Sequence, residues 1–399
     1  MAALPDGEPA PASGELPLCD VSSGFSAYVH VPFCVLRCGY CDFNTYTKLS
    51  FGPGAGRDDF DATVLKEIEL SRNVLNTGNN ATALKTIFFG GGTPTLLNAG
   101  QLTAIVDGLR QAFGIEKDAE ITTECNPESV DFRALETLKN GGFTRISFGM
   151  QSAVPSVLHT LDRRHTPGQV EKVTRWAREL GLHYSVDLIY GAPGETMEEW
   201  ETSVRAAIAL QPEHVSAYGL MVEPGTKMGA QARRGEIELP DPDVLADKYE
   251  RADELLAEAG YRWYEISNWA KPGRECHHNM HYWKNANWWG YGPGAHSHIN
   301  GTRFWNVKHP LAYAGRVNSG VSPALAREIL SPTQRYDENI MLGIRLFEGI
   351  DIPEGVAQET LNELRDDGLI DGDELRRGRI RLTLHGRLLA DTVTRALWQ

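Results

Sequence analysis

Three cysteines, Cys34, Cys38 and Cys41, stand together in a 399-residue chain whose remaining three, Cys19, Cys125 and Cys276, are scattered. Thiolates spaced C-x3-C-x2-C can reach one metal centre from a single loop, and such a cluster reads first as a ligand set. Structural zinc takes four closed ligands, usually from paired C-x2-C steps; here no fourth Cys or His is local, and only the distant Cys19 could complete the set. A four-iron cluster normally takes four Cys, so three would leave one iron open to an outside ligand. Two further constellations could serve a bound molecule. The run Gly90-Gly91-Gly92-Thr93-Pro94 lacks Cβ atoms and so allows a ligand's polar end to approach the backbone. Between residues 261 and 310 lie Trp263, Trp269, Trp283, Trp288, Trp289 and Trp305, with His277, His278, His281, His296 and His298. Imidazoles and aromatic rings gathered in one segment could line a ligand pocket; the same residues could also simply pack a small sheet.

The elements that must carry these residues alternate. Short β-branched or aromatic runs at Ala27–Val31, Thr86–Phe89, Glu120–Glu124, Arg145–Phe148, Tyr184–Ile189 and His214–Tyr218 predict six strands. Helical patterns at Asp58–Asn76, Gln101–Phe113, Gly168–Leu180 and Met197–Leu210 fall between them. Consecutive βα units predict an α/β parallel sheet or barrel; spacing alone leaves those two open. The cysteines and the glycine run then follow the first and second strands, and Glu124 ends the third. All three face the carboxyl-end mouth where βα loops build sites. Residues 1–24, rich in Pro and without Lys or Arg, predict a disordered tail. The expected organisation is a barrel over 25–240, an aromatic and His-rich α+β extension over 241–330, and a small winged-helix-like module over 331–399.

Composition narrows the function classes. Thirty-nine Lys and Arg against 53 Asp and Glu leave a net charge of −14. That argues against non-specific binding to nucleic acid or anionic membrane. No apolar run is long enough to span a bilayer, and no secretory or mitochondrial leader pattern is present. A cytoplasmic location is expected.

C-x3-C-x2-C after a first barrel strand, with Tyr40 before the last Cys, resembles the signature of the radical S-adenosylmethionine (SAM) superfamily. The resemblance implies a partial (β/α)6 barrel and a [4Fe–4S] cluster on Cys34, Cys38 and Cys41. SAM would bind the open iron, and an external reductant would drive its one-electron cleavage. The glycine run resembles the element that holds the methionine end of SAM. The strings Tyr28-x-His30-x-Pro32-Phe33-Cys34, Gly-Gly-Gly-Thr-Pro-Thr95, Phe148-Gly149-Met-Gln151-Ser152 and Asp187-Leu-Ile-Tyr-Gly191 are similar to the coproporphyrinogen III dehydrogenase-like group. On that basis Tyr28, Tyr40, Gly91, Gly92, Thr93, Glu124, Gln151, Arg163 and Asp187 are expected to bind the cofactor. The group holds dehydrogenases, which decarboxylate two propionates of a porphyrinogen, and haem chaperones, which bind haem and pass it to an acceptor protein such as a respiratory enzyme. The dehydrogenases carry a further Cys two residues past the third ligand, where this chain has Phe43. The string His278-Asn-Met-His-Tyr282-Trp283 is similar to the H-N-x-x-Y-W haem motif of the chaperones. The resemblance therefore implies haem binding at His278, Tyr282 and Trp283, with porphyrinogen decarboxylation as the alternative activity.

Overall fold

The computed structural model describes residues 6–22, 24–75 and 83–398. All six expected strands form, each a residue or more longer than its pattern: Phe25–Val31, Leu84–Gly91, Ile115–Cys125, Arg145–Gln151, His183–Tyr190 and His214–Gly219. They lie side by side in chain order and are all parallel. The sheet they form is curved but open, so the barrel is partial. Helices cover its outer face. Phe60–Leu75, Ala99–Phe113, Pro167–Glu179 and Met197–Ala209 answer the four expected helices; Asn76, expected to end the first, lies outside the described residues. Capping boxes at Asn98, Thr166 and Thr196 fix where three of them start, each satisfying two end N–H groups. Val64, Ile68, Ile105, Val106, Leu109, Val170, Val173 and Val204 face the sheet and are buried.

The His- and Trp-rich segment is not a separate layer. Asn268–Ala270 pairs antiparallel with the sixth strand, and Trp288–Tyr291 pairs parallel with the first. The sheet thus grows at both edges, to thirteen strands. Between those two edge strands the chain crosses as a short helix, His277–Trp283. Its contacts are with the amino ends of the barrel strands. Ser26 meets His281, Thr86 meets His278, and Glu120 accepts the backbone N–H groups of His277 and His278. This helix floors the barrel.

One expectation is corrected here. Residues 6–22 are not loose: Glu8–Pro9 pairs with the edge strand Ala324–Ile329, Glu8 meets Arg327 at 2.7 Å, and Val21 is buried. An unpaired sheet edge offers hydrogen-bonding groups that a short segment can cover. In the C-terminal part, expected as a winged-helix-like module over 331–399, a short strand Arg379–Ile380 is followed by a helix that begins at Leu384. That part has its own core of Ile340, Ile344, Leu361, Leu364, Ile380, Val393 and Leu397. It is clamped to the barrel by Arg387, buried against Trp263 and paired with both carboxylate oxygens of Asp253 at 2.8 Å. Among the described residues no helix is long and apolar enough to cross a membrane.

Candidate functional site

Inside the partial barrel lies one cavity of about 520 Å³. It runs from the cysteine loop at the carboxyl ends of the strands down to the 277–283 helix at their amino ends. Side chains alternate across a strand, and the inward set reads Thr122 and Glu124; Arg145, Ser147 and Gly149; Ser185, Asp187 and Ile189; His214, Ser216 and Tyr218. Cys34, Cys38, Cys41, Tyr28, Tyr40, Gly91, Gly92, Thr93, Glu124, Gln151, Arg163, Asp187, His278 and Tyr282 all line this space. Of the expected site residues only Trp283 does not: it ends the floor helix outside the cavity lining. Cys19 is likewise absent from the lining.

At the mouth the three thiols are free. Among the described residues no three His, Cys, Asp or Glu side chains are arranged to hold a single metal ion. Ligands of a four-iron cluster each bind a different iron. Burial pushes the Cys34 thiol up to about 11, with Thr93 opposing, and raises Cys41. Arg163 points Nη1 at Cys38 Sγ at 3.8 Å. Its Nη2 donates to Asn126 Oδ1 at 2.7 Å and to Gly149 O at 3.2 Å, while its Nε is buried without a partner. A Cβ on Gly92 would stand 2.6 Å from Phe33 O and 3.0 Å from Cys34 Sγ, so only glycine leaves that thiol accessible.

Deeper in, Glu124 Oε2 accepts the Gly91 N–H at 3.2 Å. Burial first, then the Asp187 carboxylate, push Glu124 up to about 8. Asp187 is itself raised by burial against hydrogen bonds from Ser216 and Ser147. Gly91 has φ +109 and sits on the His30 ring, which would lie 2.6 Å from any Cβ. His30 bridges Tyr28 OH and Asn44 O at 3.1 and 3.0 Å, and burial pulls it down to about 4. The donor set fits the expected cofactors: three free thiols, a side-chain-free backbone cradle, and two buried carboxyls, Glu124 and Asp187.

On the floor, His278 is buried and fully engaged. Nδ1 meets Thr86 Oγ1 at 2.7 Å and Nε2 meets Tyr282 OH at 2.8 Å. Its ring stacks on Phe88 at 5.1 Å, and burial lowers it to about 3. Sequence reasoning did not single out Arg145, His214, Asn126 or Tyr264, which share the lining. Their signal was available: stepping by two from Asp187 gives Ser185 and Ile189, and the same register on neighbouring strands gives Arg145 and His214.

Comparison with known proteins agrees with this site. Residues 28–207 match the model of the radical SAM superfamily. The chain is 45% identical over 94% of both chains to the heme chaperone HemW of Mycobacterium tuberculosis. The chain belongs to the HemW family. Within it, the heme chaperone HemW of Bacillus subtilis is 34% identical over 92% of this chain and 97% of its own, and that of Escherichia coli 38% over 69% and 70%. The solved coproporphyrinogen III oxidase HemN of Escherichia coli superposes with TM-score 0.79 over 97% of this chain and 92% of its own, at 24% identity, and shows the same fold. The superfamily carries a [4Fe–4S] cluster and SAM, which the three thiols and the glycine cradle suit.

Proposed function

We propose that the protein binds haem and delivers it to an acceptor protein, with a [4Fe–4S] cluster and SAM held at the barrel mouth. Cys34, Cys38 and Cys41 hold the cluster; Gly91, Gly92, Thr93, Glu124, Arg163 and Asp187 hold SAM, with Tyr28, Tyr40 and Gln151 beside them. Bound there, the pair supplies one-electron chemistry. The protein encloses the pair within the barrel and sets the Arg163 charge against the Cys38 ligand.

The observation that carries the haem reading is the place of the H-N-x-x-Y-W helix: it floors the cavity and turns His278 and Tyr282 into it. Neutral imidazole is the ligating form, and burial keeps His278 neutral. Its Nε2 becomes available to iron only when the Tyr282 hydroxyl swings away. Haem titration followed by absorbance tests this: stoichiometric binding in the wild type, weakened in His278→Ala, supports it, and no binding in either refutes it. The decarboxylase alternative has its own assay. Anaerobic incubation with coproporphyrinogen III, SAM and a reductant should give no protoporphyrinogen IX above a cluster-free control. Phe43, 59% exposed at the cavity mouth, stands where that chemistry's further Cys would be.

A further inference from the structure

The floor helix has a second side. Outside the barrel, between the strand starts and the helix Pro332–Gly343, lies a cavity of about 330 Å³. Lys85, His281, His298 and Arg335 line it with asparagine amides, and no carboxylate among the described residues does. In a chain of net charge −14 this is a local reversal of sign. The Arg335 side chain lies across Gly301, where a Cβ would collide with Nε, and that Nε is buried without a hydrogen-bond partner among the described residues. His298 is already committed to Ala286 O and the Gly301 N–H. His281 is not: Nδ1 meets Ser26 Oγ at 2.6 Å, and Nε2 has no hydrogen-bond partner among the described residues.

A continuous row of hydrogen bonds sets which nitrogen of His281 carries the proton. Thr86 Oγ1 donates to Ser26 Oγ at 2.9 Å. Its one proton is then used, so it accepts from His278 Nδ1–H at 2.7 Å. His278 Nε2 is left to accept from Tyr282 OH at 2.8 Å. Ser26 in turn sends its proton to His281 Nδ1. Every donor points from the inner cavity outward, and the row ends with His281 Nε2–H. Burial first, then the charge of Lys85, hold that imidazole below its ordinary value, so it stays neutral and donates a single proton.

We propose that this outer pocket binds an oxyanion, a carboxylate or a phosphate, through Arg335 and His281 Nε2–H, with the Tyr282–His278–Thr86–Ser26 row holding His281 in its donating tautomer. All groups offered are donors, which suits acceptor-only oxygens. Inorganic phosphate is one source of such a group and a small carboxylate is the other; a haem held at His278 Nε2 lies on the inner side of the floor helix, and the two cavities share no lining residue.

The test uses the full-length, cluster-loaded protein with 15N-labelled histidine. Two-bond 1H–15N spectra should show His281 protonated on Nε2, and Thr86→Val should release it into a mixture of tautomers. Inorganic phosphate should shift the His281 Nε2 signal saturably, about tenfold more weakly in Arg335→Gln, the scale of one charge-assisted hydrogen bond. In parallel, acetate is titrated against the same signal; a carboxylate ligand shifts it saturably, about tenfold more weakly in Arg335→Gln. An unchanged melting midpoint shows that the variants fold. His281 protonated on Nδ1, or neither anion's shift depending on Arg335, overturns the proposal.

Discussion

Tyr282→Phe should tighten haem binding. In the free protein the Tyr282 hydroxyl occupies His278 Nε2 at 2.8 Å, the nitrogen that faces the cavity, while Nδ1 is held by Thr86. Ligation through Nε2 must first break the tyrosine bond. A hydrogen bond of this kind contributes about 0.5–1.5 kcal/mol net, so removing it should lower the dissociation constant about 2- to 13-fold. Phenylalanine keeps the ring, which meets His278 edge-on at 4.9 Å, so the floor stays packed. Haem titration by absorbance reads the change. In a His278→Ala background the gain should vanish, because no imidazole remains to be released. An unchanged affinity in Tyr282→Phe, or an equal gain without His278, would refute the reasoning.

Gly92→Ala should fold but lose most of its reconstituted iron, measured as iron per chain, because the new methyl collides with Phe33 O and crowds Cys34 Sγ. Arg387→Met should cost about 3–5 kcal/mol in denaturant unfolding, since it leaves Asp253 without its buried partner and loosens the C-terminal core from the barrel. The pH dependence of the cofactor-free protein should carry the mark of Glu124. Its carboxyl titrates near 4.5 unfolded and near 8 folded, so between those values the folded chain holds the extra proton and stability falls as pH rises. His278 and His30, lowered to about 3 and about 4, act in the opposite direction only below about 6.5. Between pH 7 and 8, therefore, Glu124→Gln should flatten the decline, by at most about 1.4 kcal/mol per pH unit; a parallel curve in the variant would contradict the assignment.

The barrel was legible because its signals are local. Six runs of β-branched and aromatic residues recur between capped helices, and each becomes a strand within a few residues of its pattern. The cysteine loop and glycine run were legible for the same reason: each is one short string whose chemistry does not depend on distant chain. What the sequence hid was long-range. Nothing near Glu8 reveals that it will meet Arg327, far along the chain. Nothing in the His277–Trp283 string says that it will plug the barrel floor, because its partners Ser26, Thr86 and Glu120 come from three separate strands. The inward register was half visible: Glu124 and Asp187 were identified singly, and their neighbours two residues away were not followed. Trp283, grouped with His278 and Tyr282 by adjacency, leaves the cavity because a helix turns successive residues by about 100°.

The central claim is that His278, on the floor of the barrel, is where haem is held. Its most direct measurement is an anaerobic haem titration of wild type and His278→Ala, followed by absorbance. The account predicts one haem per wild-type chain, with affinity reduced at least about tenfold in the variant, on the scale of losing an iron ligand. Equal affinity in the two proteins would place the haem elsewhere, and no binding in either would contradict the chaperone reading itself.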